Sequence, residues 1–252
     1  MAKGVHSQYS NSDTKKLLCT NIDGTLIGHD ESMYELLGMI NRHGLLLVFD
    51  TGRDLKSVVN LIDKKGIRKP DASICMVGTE VYFVQDGEFV LDRSWSDIIS
   101  RGWNRQRIVE MMSDLKDLEW QESRWQTKFK ISYFLRYNQQ EVLAEIHRRL
   151  QEEPLDVKVI FSCDQFLDLL PRESSKSGAL KYIMAKLGIA KDDVIVCGDS
   201  GNDLELFEDG FKGIIVANAH QELKDYKGSN AFHATYSYSA GIIEGLKQFR
   251  FI

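Results

Sequence analysis

The chain has 252 residues, 43% apolar and 27% charged, which is the profile of a soluble globular protein long enough for one large domain or a core with an inserted cap. A net charge of −5 gives no general reason to expect nucleic acid or an anionic membrane as partner. No apolar run approaches the ~20 residues needed to span a bilayer, so no membrane segment is expected.

Residues 1–15 are polar, contain no apolar signal-like stretch and are read as a mobile leader. Lys16 to Ile22 is a short apolar run ended by a turn, as in a strand buried on both faces of a parallel sheet. Glu31 to Asn41 has helical apolar spacing and stops at His43-Gly44. Leu45 to Phe49 is a second buried strand, followed by Asp50-Thr51-Gly52-Arg53 and a helix over Asp54 to Ile62 that Thr51 or Asp54 could cap. Ala72 to Val77 is a third strand, with Gly78-Thr79-Glu80 after it. Buried strands alternating with helices predict an α/β fold, a doubly wound Rossmann-like parallel sheet, whose ligands sit at the carboxyl ends of the strands.

From Val81 the rhythm changes. Val81–Val84 and Glu88–Leu91 flank Asp86-Gly87 as a hairpin. Ser94 to Leu118 reads as one long amphipathic helix, Phe129 to Leu135 as a half-buried strand, Glu141 to Leu150 as a helix, and Val157–Phe161 and Phe166–Leu170 as strands. An α+β cap over residues 85–165 is therefore expected inside a core made of 16–84 and 166–252. In the second part of the core, Lys176 to Leu187 is a helix opened by Ser174-Ser175 and closed by Gly188. Val194–Cys197 and Lys212–Val216 are buried strands, and Gly241 to Phe249 is the last helix. The cysteines Cys19, Cys75, Cys163 and Cys197 lie in or beside apolar runs without metal or redox spacing, and read as reduced core thiols suited to a reducing cytoplasm.

Four strand ends then offer Asn21 and Asp23; Thr51 and Gly52; Asp199, Asn202 and Asp203; and Asn218, with Lys176 at a helix start. An oxygen-rich set without nitrogen or sulfur ligands suits a hard cation, and open positions favour Mg²⁺ sharing its shell with a phosphate. Thr51, the Gly52 amide and Lys176 supply the donors a phosphoryl group needs. Singly these pieces are weak, because a Thr-Gly-Arg is usually a turn and a lone lysine at a helix start is usually solvated. Their occurrence together, in this order, points to a phosphoryl-handling site.

The ordered set Asn21-Ile22-Asp23-Gly24-Thr25, Thr51-Gly52-Arg53, Lys176 and Gly198-Asp199-Ser200-Gly201-Asn202-Asp203 resembles the four motifs of the haloacid dehalogenase (HAD) superfamily of phosphatases. The inserted segment resembles the cap of its Cof-like branch. Lys130–Tyr133, Val159–Ser162, Leu167–Pro171 and Gly213–Ala219 are similar to the sucrose-phosphate phosphatase family within it. This resemblance implies a Mg²⁺-dependent sugar-phosphate phosphatase acting on sucrose 6-phosphate or a related disaccharide phosphate through an aspartyl-phosphate. It implies that residue 21 is the nucleophile and Asp23 the acid and base, and that Thr51, Gly52, Lys176 and Asn202 hold the phosphoryl group. It further implies that Asn21, the Asp23 carbonyl, Asp199 and Asp203 form or support the metal site. Glu80, Lys130 and Asn218 are candidate sugar contacts. The expected partner is a small sugar phosphate, with the synthase that makes it as a second candidate, and the expected state is a monomer.

Position 21 departs from that pattern. A carboxamide keeps the shape of a carboxylate and an oxygen able to ligate a cation, but it is a poor nucleophile. The chain is therefore expected to bind a phosphorylated sugar and to turn it over very slowly or not at all. Either Asn21 is an engineered change that freezes an active phosphatase, or it is a natural change in a chain kept for binding or regulation. The intact remaining motifs favour the first.

Overall fold

In the computed structural model the described residues are 15–162 and 164–252, apart from the Ser162 side chain. The leader, except Lys15, and the packing expected of Cys163 lie outside them. The strands are β1 (Leu17–Asn21), β2 (Leu46–Asp50), β3 (Ala72–Cys75), β4 (Glu80–Gln85), β5 (Glu88–Leu91), β6 (Leu118–Trp120), β7 (Ile131–Leu135), β8 (Val157–Ser162), β9 (Phe166–Pro171), β10 (Val194–Gly198), β11 (Lys212–Ile215) and β12 (Ala231–His233). The helices are α1 (Asp30–Arg42), α2 (Leu55–Lys65), α3 (Arg93–Ile99), α4 (Arg105–Met112), α5 (Gln139–Gln151), α6 (Lys176–Leu187), α7 (Leu204–Glu208), α8 (Gln221–Lys224) and α9 (Tyr238–Gln248).

One sheet has the order β12-β11-β10-β1-β2-β3-β4-β5, parallel from β12 to β3 and extended at its edge by the antiparallel hairpin β4-β5. The apolar runs Leu17–Cys19 of β1 and Val194–Cys197 of β10 are buried because helices cover both faces of a parallel sheet. β1 lies between β10 and β2, in register so that Asn21 faces Asp50 across the β1–β2 pair. The strand ends therefore bring motifs far apart in sequence to one edge of the sheet.

The second sheet, β6-β7-β9-β8, is antiparallel. Ile131, Tyr133 and Leu135 of β7 and Leu167 and Leu169 of β9 join Ile108 of α4 and Ile146 of α5 in its own apolar cluster. Period-two alternation puts Ser132, Asp168 and Lys158 on the opposite face.

Sheet membership moves the expected domain boundaries. The hairpin β4-β5 pairs with β3 and belongs to the large sheet, while β9 pairs with β7 and β8 and belongs to the small one. The hydrophobic pattern within each strand is the same whichever sheet it joins, so the pattern could not decide this. The long helix expected over Ser94 to Leu118 is also divided. Its first part, α3, buries Trp95 and Ile99 in the large core, and its second part, α4, buries Ile108 and Met112 in the small one. Between them Gly102 is left-handed (φ +70°), and a Cβ there would stand 2.8 Å from the Cβ of Asp156. A larger residue would meet both strain and a clash, so the chain passes from core to cap at this glycine.

Several local expectations match their physical basis. Asp54 rather than Thr51 caps α2, accepting from the Ser57 amide at 2.7 Å. Ser175 caps α6 through the Gly178 amide at 2.9 Å, and Gly188 ends that helix in a left-handed conformation. β3 ends earlier than expected, because Met76 and Val77 are left-handed (φ 51° and 59°). That is an uncommon state for a β-branched residue, and hydrogen bonds hold it in place: the Met76 amide donates to the Arg53 carbonyl and the Val77 amide to that of Thr51.

Candidate active site

β1 delivers Asn21 to the sheet edge, where it is 6% exposed. Its Oδ1 accepts from the Ile22 amide at 2.7 Å, and its Nδ2 donates to Asp199 Oδ1 at 2.9 Å, with Asp203 Oδ2 at 3.5 Å. The backbone donor fixes which end of the carboxamide points where. Thr25 Oγ1 donates to the same Asp199 oxygen at 2.7 Å. Gly24 makes this approach possible: it is left-handed (φ +74°), and a Cβ there would lie 2.3 Å from Asp199 Oδ2.

Asp203 is fully buried and fully engaged. Its Oδ2 accepts from the amides of Asp199 (3.0 Å) and Ser200 (3.1 Å), and its Oδ1 accepts from Lys176 Nζ at 2.6 Å. Of the sequence-expected metal residues it acts as a brace, each of its oxygens already accepting at least one hydrogen bond. Lys176 is 1% exposed. Burial works against its ammonium, but Asp203 and Asp50 beside it hold its pKa well above the usual lysine range. Thr51 is fully buried, its hydroxyl accepting from the Arg53 amide at 3.1 Å, whereas Asn202 is exposed and accepts from Ser200 Oγ at 3.1 Å.

Asp23 is turned elsewhere. Arg53 clasps its carboxylate at both oxygens, at 2.6 and 2.7 Å, and this paired carboxylate raises the Arg53 pKa. The sequence placed Arg53 in the second motif without giving it this task. The pairing is long-range, so only the fold brings the two together.

The arrangement tests the expected Mg²⁺ site directly. An amide oxygen at residue 21 would have to face Asp199, but that oxygen is occupied by the Ile22 amide, and the NH₂ group points there instead. Turning the carboxamide over would set its NH₂ against the Ile22 N–H. A carboxylate would satisfy both demands, one oxygen accepting from Ile22 and the other facing Asp199. The side chains as they stand therefore do not fit Mg²⁺; the carboxamide supplies the positive end of a dipole where a cation would lie. Burial raises the Asp199 pKa, and the hydrogen bonds from Thr25 and Asn21 offset part of that shift.

Asp50, which the sequence reading named only as part of a strand end, is fully buried beneath the site. Both its oxygens lack hydrogen-bond partners, and Lys176 Nζ is 3.7 Å away. Burial pushes its carboxyl up to about 7, with Lys176 offsetting only part of the effect. An unfolded aspartate titrates near ~3.9. The folded state thus holds the extra proton between those values, and this contribution to stability, full below the lower value, is lost as pH rises through the upper one. Urea unfolding across that range should show stability falling with pH, and Asp50→Asn should flatten the fall. An unchanged slope in the variant would rule out Asp50 as its source.

The candidate sugar contacts are engaged elsewhere. Asn218 donates to the Gly24 carbonyl (2.7 Å) and accepts from the Tyr238 amide (2.9 Å), bracing the first motif. Lys130 is buried in the cap, 3.2 Å from Asp168, which also accepts from Ser132 Oγ at 2.6 Å. Glu80 is half-buried and accepts from Tyr82 Oη at 2.9 Å. The cap instead reaches the core through Lys158 of β8, which pairs with Glu205 of α7. A cavity of about 260 Å³ lies there, lined by Lys176, Ser175, Asn202 and Val77 from the core and by Lys158, Ile160 and Phe161 from the cap.

Comparison with known proteins places the chain in a family. The sequence profile of the sucrose-6F-phosphate phosphohydrolase family matches residues 14–250. The chain is 34% identical over 92% of its length to a protein named probable sucrose-phosphatase 3a of Arabidopsis thaliana, and 32% identical over 94% to sucrose-phosphatase 1 of Nicotiana tabacum. It spans 59% and 60% of those two proteins. It is 31% identical to the mannosylfructose-phosphate phosphatase of Agrobacterium fabrum, covering 92% of this chain and 96% of that one. Among solved structures, the sucrose-phosphatase of Synechocystis in complex with sucrose and phosphate superposes with a TM-score of 0.85 at 31% identity, covering 94% of this chain and 99% of that one. A haloacid dehalogenase-like hydrolase from Bacillus subtilis shares the fold at 21% identity and a TM-score of 0.71. The chain thus belongs to the sucrose-phosphate phosphatase family of the haloacid dehalogenase superfamily.

Proposed function

We propose that the chain binds a phosphorylated disaccharide, sucrose 6-phosphate or a close relative such as mannosylfructose phosphate, and that Asn21 suppresses its hydrolysis. One observation carries the reading: Thr51 and Gly52 at a strand end and Lys176 at a helix start stand as phosphate donors, while residue 21 beside them is a carboxamide, a poor nucleophile, in place of a carboxylate. In this assignment Thr51, the Gly52 amide, Lys176 and Asn202 receive the phosphoryl oxygens. Asp23, oriented by Arg53, is the acid that protonates the departing sugar oxygen once residue 21 is a nucleophile. The cap closes over the sugar from the Lys158 side and limits access of water.

With an aspartate at position 21, that carboxylate, the Asp23 carbonyl and Asp199 would hold Mg²⁺, which would offset the phosphoryl charge. In the chain as it stands no step runs through a metal. The rest of the assignment is a monomeric cytoplasmic protein. Cys19, Cys75 and Cys197 are buried free thiols, in keeping with a reducing compartment, and no helix among the described residues is long and apolar enough to cross a membrane.

A second reading has an observation in its favour. The Asn21 carboxamide satisfies Ile22 on one side and Asp199 on the other, so it fits its surroundings better than a residue substituted into a site built for a carboxylate should. A natural sugar-phosphate sensor, or an inactive partner of the synthase that makes the compound, would use the same binding site. Calorimetry of the unaltered chain tests the shared core of both readings. Sucrose 6-phosphate should bind at least about tenfold more tightly than glucose 6-phosphate, since a second ring adds contacts to the cap. Equal affinities would sink the disaccharide assignment.

A further inference from the structure

We propose that Asp50 is a positioning residue matched to Asn21: it draws Lys176 back from the phosphate position, and the site accommodates its charge because residue 21 is neutral. The two residues are register partners at the ends of adjacent parallel strands, and both are buried. Asp50 has no hydrogen-bond partner for either oxygen, and its nearest cation is Lys176 at 3.7 Å, beyond hydrogen-bonding distance. The same ammonium is already committed to Asp203 at 2.6 Å, and Asp203 is pinned by two backbone amides. One lysine therefore serves two carboxylates, and both act to hold it in the protein interior.

Charge sets the link to position 21. With Asp50 ionised, Asp50, Asp199 and Asp203 oppose Lys176, three charges against one, because Arg53 neutralises Asp23. Asn21 leaves that excess at two negative charges and donates to one of its members, whereas an aspartate would raise it to three with no added cation. A carboxylate at residue 50 and one at residue 21 are thus alternatives on neighbouring strand ends.

The test uses four chains: the parent, Asn21→Asp, Asp50→Asn and the double variant. Their thermal midpoints are read without metal at mildly alkaline pH, and their affinities for inorganic phosphate by calorimetry. The drop in midpoint caused by Asn21→Asp should be at least halved when Asp50→Asn is present, a departure from additivity that only coupled sites give. Asp50→Asn alone should tighten phosphate about tenfold by releasing Lys176 toward the pocket, a gain that a merely structural residue would not produce. Asp50→Ser, smaller and able to donate to a neighbour, serves in its place where the asparagine chain does not fold. Additive midpoints would overturn the proposal, as would an Asp50 variant that binds phosphate no better than a phosphate-binding parent. The phosphate arm rests on the proposed function. Should none of the four chains bind phosphate while the midpoints stay non-additive, the coupling stands and the phosphate site is refuted.

Discussion

Asn21→Asp should raise phosphate release from sucrose 6-phosphate by about a thousandfold or more, roughly 4 kcal/mol of barrier, because it supplies the missing nucleophilic oxygen. The carboxamide now gives its oxygen to the Ile22 amide and its NH₂ to Asp199 at 2.9 Å. A carboxylate can keep the first bond, but its second oxygen would then face Asp199 as one anion faces another. A cation between them removes that repulsion. The variant should accordingly gain several degrees of thermal midpoint on addition of Mg²⁺, whereas the parent, whose amide already donates to Asp199, should gain little. With Asp50→Asn added, the gain in phosphate release should be larger still, since Lys176 is then freer to meet the phosphate. A variant as inactive as its parent and indifferent to Mg²⁺ would remove the basis for calling this site a frozen phosphatase.

The second large effect concerns folding. Lys176→Met should cost about 3–5 kcal/mol, because it leaves two buried carboxylates without their counter-charge while nearly preserving side-chain volume. Lys176 is 1% exposed and sits 2.6 Å from Asp203 and 3.7 Å from Asp50, both of them fully buried. Urea denaturation is the measurement, and adding Asp50→Asn should recover part of the loss. A cost under about 1 kcal/mol, the scale of an exposed pair, would mean that the lysine is not what neutralises these acids. The contrast with Arg53–Asp23 is instructive. That pair has better geometry, but its Asp23 side chain is 53% exposed, so its worth is in orienting Asp23 rather than in stability.

Much of this was legible in the sequence because the deciding forces are local. The apolar runs at Leu17 and Val194 needed no partner to be read as buried strands, Ser175 and Gly188 bracket α6 by capping chemistry, and Asn21, Thr51, Lys176 and Asp199 read together as candidates for a phosphoryl site. The first two of these depend on residues close in sequence, whereas the four site positions could be grouped only by their order along the chain and the family pattern they resemble. The family resemblance read from the same motifs agrees with the comparisons.

Tertiary structure alone decided the rest. Strand pairing assigned the β4-β5 hairpin to the core and β9 to the cap, since a strand's alternation says which face is apolar but not which sheet completes its hydrogen bonds. Gly102 broke one amphipathic pattern into two helices that serve different cores. Asp23 was assigned no partner until the fold set Arg53 against it, and Asp50 was only part of a strand end until burial left it without a hydrogen-bond partner beside Lys176. Side-chain charge is written in the sequence, but the cost and use of a charge depend on what surrounds it after folding. At position 21 the sequence determined a carboxamide, and the fold determined that its nitrogen donates to Asp199 and approaches Asp203.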